Sequence, residues 1–343
     1  MLQSFLMEEE PKTSGEIRDR LLETMQRALE ERQKRGPAPA TSSPEIDPAM
    51  LARFARGERA LAQEILRPFR GDRPEALWRQ LVAMARPALA IEPMKGAARG
   101  RSRLGGIPDL SAGAEWPRRG EKPMYFLGQL DLAEVRRHIS DEAIPPDGVM
   151  SFFWEADQWT PGYRPEESDA WRVVVSRGRL APTSPPPAPV EDGTSLDWTF
   201  TASAVSMKPV ISLPGADHVL LESPAKRRVA LKDHDELIDR LREAQGASGL
   251  TQFLGYPAEI QGDPFRTAHL ASHGIGIEDE VRRSAKARAM VRQRGVRRLL
   301  FQIDSIRELG MEWADSGVAY FTMEEVDLQS GRWDRTWLVM DSL

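Results

Sequence analysis

The spacing of apolar residues changes character near residue 96. Before it they recur in helical steps: Ile17, Leu21, Met25 and Leu29 lie four apart, which sets them along one narrow stripe of a helix. Thr13, with Glu16 three positions on, forms a capping box, so the pattern predicts a helix over 13–35 and a helical segment spanning 1–35. Gly36 and Pro37 stop it. GPAPATSSPEIDP (36–48) then has the composition of a flexible or semi-extended linker. Residues 49–92 read as helical again, through MLARFARGERALAQEILRPF and PEALWRQLVAMARPALAI, with Pro74 placed for a first turn.

Beyond about Gly96, glycines, prolines and short β-branched or aromatic runs predominate, and the predicted elements become strands. They fall near 124–130, 148–155, 171–177, 200–213, 299–304, 317–323 and 335–341, with helices near 132–138, 233–245 and 278–294. Two stretches of this region follow one plan. FLGQLDL (126–132), GVMSFFWE (148–155) and AWRVVVS (170–176) are answered by LLFQIDS (299–305), GVAYFTME (317–324) and TWLVMDS (336–342). Each copy ends an apolar run in Gln-apolar-Asp, opens an aromatic run with Gly-Val, and closes on a Trp. A three-stranded unit is marginal alone, so two copies (124–177 and 299–341) are expected to pack together about a pseudo-twofold axis. The expected fold class is α+β, with internally duplicated three-stranded β units in a domain covering 93–343.

Composition narrows the function. Lys and Arg total 47 against 52 Asp and Glu, a net charge of −5, so no global attraction for nucleic acid or anionic lipid is expected. There are 0 cysteines, which removes disulfides, thiolate metal sites and a Cys nucleophile together. The N-terminus turns acidic after seven residues, unlike a secretory signal, and no run approaches a membrane span. The expectation is a cytoplasmic protein without a membrane partner.

GRSRLGGIPDLSAGAEWP (100–117), PMYFLGQLDL (123–132), LGYPAEIQGDP (254–264) and WADSGVAYFTMEEVDLQSGRWDRTWLVMDS (313–342) resemble the YwqG-like family, a bacterial domain of unknown function, over about residues 85–343. LGYPxxIQGDP is the most distinctive of these motifs. The resemblance implies an internally duplicated α+β fold and supplies no catalytic residues. Relatives lie near secreted-toxin loci, which implies a toxin-neutralising role for some of them.

Four polar residues stand at equivalent places in the two copies: Gln129 and Asp131, Gln302 and Asp304. They would contact a polar ligand if both pairs converged on one cleft; alternatively each Asp caps the next turn and each Gln serves the backbone. His269 and His273 have i, i+4 spacing on a helix face, but two ligands are not a site, and they read as polar loop residues with no metal expected. No GxSxG, P-loop or GxGxxG frame occurs, so no catalytic residue and no cofactor is assigned. EDEVRRSAKARAMVRQRGVRR (278–298) holds eight basic residues against three acidic but no aromatic, the pattern of an exposed helix rather than a nucleic-acid platform. Trp159 and Tyr163 sit in a polar loop, EADQWTPGYRPEESD, where aromatic rings serve as anchors for a partner.

The leading expectation is therefore a non-catalytic protein-binding module, of toxin-neutralising immunity type or regulatory, acting through loops 155–170 and 180–195. The alternative is a small-molecule or nucleotide-binding protein, conceivably a hydrolase, using a cleft between the repeats. The N-terminal helix would serve self-association or partner docking.

Overall fold

A computed structural model describes residues 44–342 except 96–99, 157–159, 188–189, 192–193, 196–197, 217, 219–233, 282–283 and 294–295. The predicted helix at 13–35 and most of the 36–48 linker lie outside the described residues. The chain enters the fold at α1 (Pro48–Ala55), capped by Asp47, whose carboxylate accepts from the Ala49 N–H at 2.8 Å. Helices α2 (Leu61–Leu66) and α3 (Glu75–Met84) follow.

The sequence pattern carried helix through residue 92, and here the structure differs. Arg86–Met94 is a strand, β1, and it lies at the centre of the sheet. Further strands are β2 (Arg103–Leu104), β3 (Tyr125–Asp131), β4 (Val149–Trp154), β5 (Trp171–Ser176), β6 (Ser203–Ser212), β7 (Gln252–Phe253), β8 (Arg297–Asp304), β9 (Val318–Glu324) and β10 (Trp337–Asp341). They form one ten-stranded sheet in the order β10-β9-β8-β7-β1-β6-β2-β3-β4-β5, every neighbouring pair antiparallel. The order reads alike from both edges: a meander of three, a two-residue strand, a long central strand. Helices α4 (Leu132–His138), α5 (His234–Ala244), α6 (Pro264–Ser272), α7 (Ile277–Val281), α8 (Ala285–Gln293) and α9 (Glu325–Gln329) fill the connections. The basic segment predicted as one helix over 278–294 is thus two short helices.

The sheet curls until its meanders face each other, nearly closing a barrel. Phe152 of β4 stacks on Phe301 of β8 at 4.5 Å and meets Phe321 of β9 edge-on at 5.2 Å. At the open seam Trp171 of β5 and Trp337 of β10 touch edge to face at 5.0 Å, and the Trp171 indole donates to the Thr336 carbonyl at 2.8 Å. These rings bury most of their area and account for much of the driving force for closure. The helices α1 to α3 cover the middle of the sheet from outside: Leu51, Phe54, Leu66, Trp78 and Leu81 pack with Ile211 and Leu213 beside β6 and with Leu237 and Leu241 of α5. Among the described residues no helix is long and apolar enough to cross a membrane.

Candidate functional site

Period-two alternation decides where the Gln–Asp pairs point. Phe152 faces inward, so its neighbour Ser151 and the residue paired with Ser151, Gln129, face outward. Phe301 likewise faces inward, and the next residue, Gln302, faces outward beside Tyr320. The two pairs therefore point away from the shared core, on opposite meanders, and do not meet in one cleft.

Each Gln instead fastens a loop on its own side. Gln129 is 1% exposed; its Oε1 accepts from the Asp109 N–H at 2.8 Å and its Nε2 donates to the Arg101 carbonyl at 2.7 Å. Gln302 is 0% exposed; its Oε1 accepts from the Ala258 N–H at 3.0 Å and its Nε2 donates to the Leu250 carbonyl. Asp131 caps α4, accepting from Ala133 and Glu134 N–H groups at 3.0 and 3.3 Å. Asp304 accepts from the Leu250 N–H at 3.1 Å, and burial pushes its carboxyl above the usual value. The likeness extends further. The Asp131 N–H donates to the Ser102 hydroxyl and the Asp304 N–H to the Thr251 hydroxyl. The Gly105 N–H donates to the Leu127 carbonyl and the Leu254 N–H to the Leu300 carbonyl, and β3 and β8 each carry a bulge at that residue.

A cavity of about 40 Å³ lies between α5 and the central strands, lined by Ile211, Leu241, Arg242, Thr251, Gln252 and Tyr256. That is room for one or two waters, against the several hundred Å³ of small-molecule sites.

The described part of the 155–170 loop is a strap across the seam. Pro161 accepts from the Met340 N–H at 2.9 Å, and the Gly162 carbonyl accepts from the Trp337 indole at 2.8 Å. Gly162 has φ +78°, and a Cβ there would meet the Leu338 carbonyl oxygen at 1.7 Å, so only glycine lets the strap lie this close. Tyr163 is not an exposed anchor: its hydroxyl donates to the Met340 carbonyl at 2.9 Å and to Asp341 Oδ1 at 2.8 Å. Burial pushes the Asp341 carboxyl up to about 6 against the pull of that hydrogen bond, and burial followed by the Asp341 charge raises the Tyr163 hydroxyl. Trp159 lies outside the described residues. The chain on either side of 157–159 is fixed: the Trp154 indole donates to the Thr160 carbonyl at 3.2 Å, and the Thr160 hydroxyl to the Glu155 carbonyl at 3.3 Å.

His269 and His273 are not loop residues. His269 lies in α6, 5% exposed, and His273 is its C-cap. His269 Nδ1 is 3.0 Å from Glu324 Oε1, which also accepts from Arg297 Nη1 at 3.0 Å. Arg297 and Glu324 are paired across β8 and β9, a register that the sequence alone does not reveal. Burial lowers the Arg297 guanidinium to about 10 although Glu324, Asp327 and Asp263 favour its charge. Burial pushes Glu324 up, but the His269 hydrogen bond and the Arg297 charge together hold it below its ordinary value. A second ionic group joins Arg298 to Asp141 and to Glu325 at 3.1 Å, with Arg86 over the Tyr256 ring at 4.5 Å.

Fold and geometry together define an α+β protein built on one curled antiparallel sheet, its recurring polar motifs committed to holding loops. Residues 102–342 match the family described as a domain of unknown function, DUF1963, and the chain belongs to that family. No curated protein matches it.

Proposed function

We propose that this protein is a non-catalytic binding module that captures a protein partner through Trp159 of the 155–170 loop. The observation that carries the reading is the clamp on the chain to either side of 157–159, where Trp154, Glu155 and Thr160 close the chain on itself while Pro161 to Tyr163 are fastened to β10. A segment whose two ends are already fixed has less freedom left to lose on binding, which favours affinity. The cleft reading has less support: Gln129, Asp131, Gln302 and Asp304 are occupied by backbone groups on opposite sides. Resemblance to the YwqG-like family makes a toxin the first partner to try and a bacterial cytoplasm the first place to look.

The test is affinity capture of the full chain from its native cell, with mass spectrometry of what is retained. Wild type and Tyr163→Phe are expected to retain one stoichiometric partner that Trp159→Ala loses at an unchanged melting temperature. Retention of the same partner by Trp159→Ala would count against the reading.

The proposal includes an internal duplication. Its support is the correspondence of hydrogen bonds at Ser102 and Thr251, Gly105 and Leu254, Gln129 and Gln302, and Asp131 and Asp304, together with bulges at Leu127 and Leu300. Independent evolution of so many equivalent backbone contacts is hard to motivate physically, since many turns would satisfy the same loops.

A further inference from the structure

His269 holds a buried ring nitrogen that no described residue uses. Its Nδ1 faces Glu324 Oε1 at 3.0 Å, whereas its Nε2 is buried without a hydrogen-bond partner among the described residues. A buried polar atom left unpaired in a well-packed region calls for a reason. One helical turn on, His273 is arranged the same way: its Nδ1 is 2.8 Å from the His269 carbonyl oxygen, an acceptor that fixes the proton on Nδ1 and leaves the Nε2 lone pair free. The two imidazoles lie with ring centroids 4.4 Å apart. One ligand atom from each of His269, His273 and Glu324 falls within 4.8 Å of the other two.

We propose that His269 and His273, with Glu324 behind them, bind one divalent transition-metal ion of the zinc class. Metal-binding histidines characteristically donate their second ring N–H to a carboxylate or a backbone carbonyl, which sets the tautomer and aims the lone pair; His269 has the carboxylate and His273 the carbonyl. The i, i+4 spacing on α6 puts both rings on one face. Donors on a tetrahedral ion with bonds near 2.0–2.1 Å lie roughly 3.4 Å apart, closer than the 4.8 Å within which the ligand atoms of this group fall, so His273, the exposed member, must move toward His269 by up to about 1.4 Å. Imidazole donors suit zinc, cobalt, nickel or copper over calcium or magnesium.

The charges around the site fit a cation. Arg297 is the one arginine in hydrogen-bond contact with Glu324 among the described residues; of the other two acids acting on it, Asp327 is paired with Arg332 and Asp263 adds a further carboxylate, so three carboxylates stand against two guanidiniums. Arg297 is held by two further hydrogen bonds, from its Nε to the Thr322 hydroxyl at 3.1 Å and from its Nη1 to the Ser272 hydroxyl at 3.2 Å.

The experiment uses the untagged full chain, stripped with chelator and titrated with zinc chloride by calorimetry, and with cobalt chloride by visible absorption. Wild type is expected to take up one ion per chain, with a cobalt d–d spectrum of low coordination number and a melting temperature raised by zinc. His273→Ala, at an exposed position, and Glu324→Gln should each weaken zinc binding at least about tenfold. His138→Ala, in α4, should bind like wild type. Absence of saturable zinc and cobalt binding, or equal affinity in His273→Ala and wild type, would overturn the proposal.

Discussion

Gln129 and Gln302 show how a polar residue in a core earns its place through the backbone. Each amide closes a loop by accepting one N–H and donating to one carbonyl, and each is almost wholly buried. Replacement by leucine keeps the volume but strands both backbone groups, at about 1–3 kcal/mol apiece. Gln129→Leu and Gln302→Leu should therefore each lower stability by roughly 2–4 kcal/mol in urea unfolding, and by similar amounts. A cost below about 0.5 kcal/mol at either would contradict the role. Asp341 supplies a pH signature. Its folded value, about 6, lies above the ordinary carboxylate value, so the protonated form is favoured by folding. Its contribution is complete below the unfolded pKa of about 3.9 and is lost as pH rises through about 6, an effect of order 3 kcal/mol. Stability measured from pH 4 to 7 should fall more in wild type than in Asp341→Asn; parallel profiles would refute the assignment.

The seam strap is the element on which shape and proposed function meet. Gly162→Ala forces a Cβ into the Leu338 carbonyl and should release the strap from β10, lowering the melting temperature and speeding amide exchange at Met340, whose N–H is bonded to Pro161. Unchanged exchange there would show that the strap is not what holds the edge. Among elements, the outer strands were legible because they are short runs rich in Val, Phe and Trp, and α4 and α5 because Asp131 and a stop at Gly246 mark their ends. β1 was not. RPALAIEPM follows directly on a helical run, is rich in alanine, and is buried through most of its length, so it lacks the alternation that marks a one-sided strand. The two-residue strands β2 and β7 are too short to leave any pattern. Tyr163 read as a surface anchor because its polar neighbours suggested a free loop; its partner Asp341 lies 178 positions away, beyond the reach of local spacing.

At the scale of the whole molecule, the matched family span begins at residue 102, yet the sheet depends on β1 before it. β1 pairs with β6 along nine residues, from Arg86 opposite Ser212 to Met94 opposite Ala204, and with β7 on its other side. It thereby joins the two facing meanders into one body, while α1 to α3 cover the apolar surface of β6 and α5. The recurring motifs were visible in the sequence, but the pairing that unites them was not, because the long strand β1 lies next to the two-residue β7 and the long strand β6 next to the two-residue β2. The most direct measurement is urea unfolding of the full chain beside a chain beginning at residue 102, followed by both tryptophan fluorescence and circular dichroism. The account predicts one cooperative transition for the full chain and none for the shortened one, which should expose Ile211, Leu213, Leu237 and Leu241. Cooperative unfolding of the shortened chain with near-native stability would contradict it.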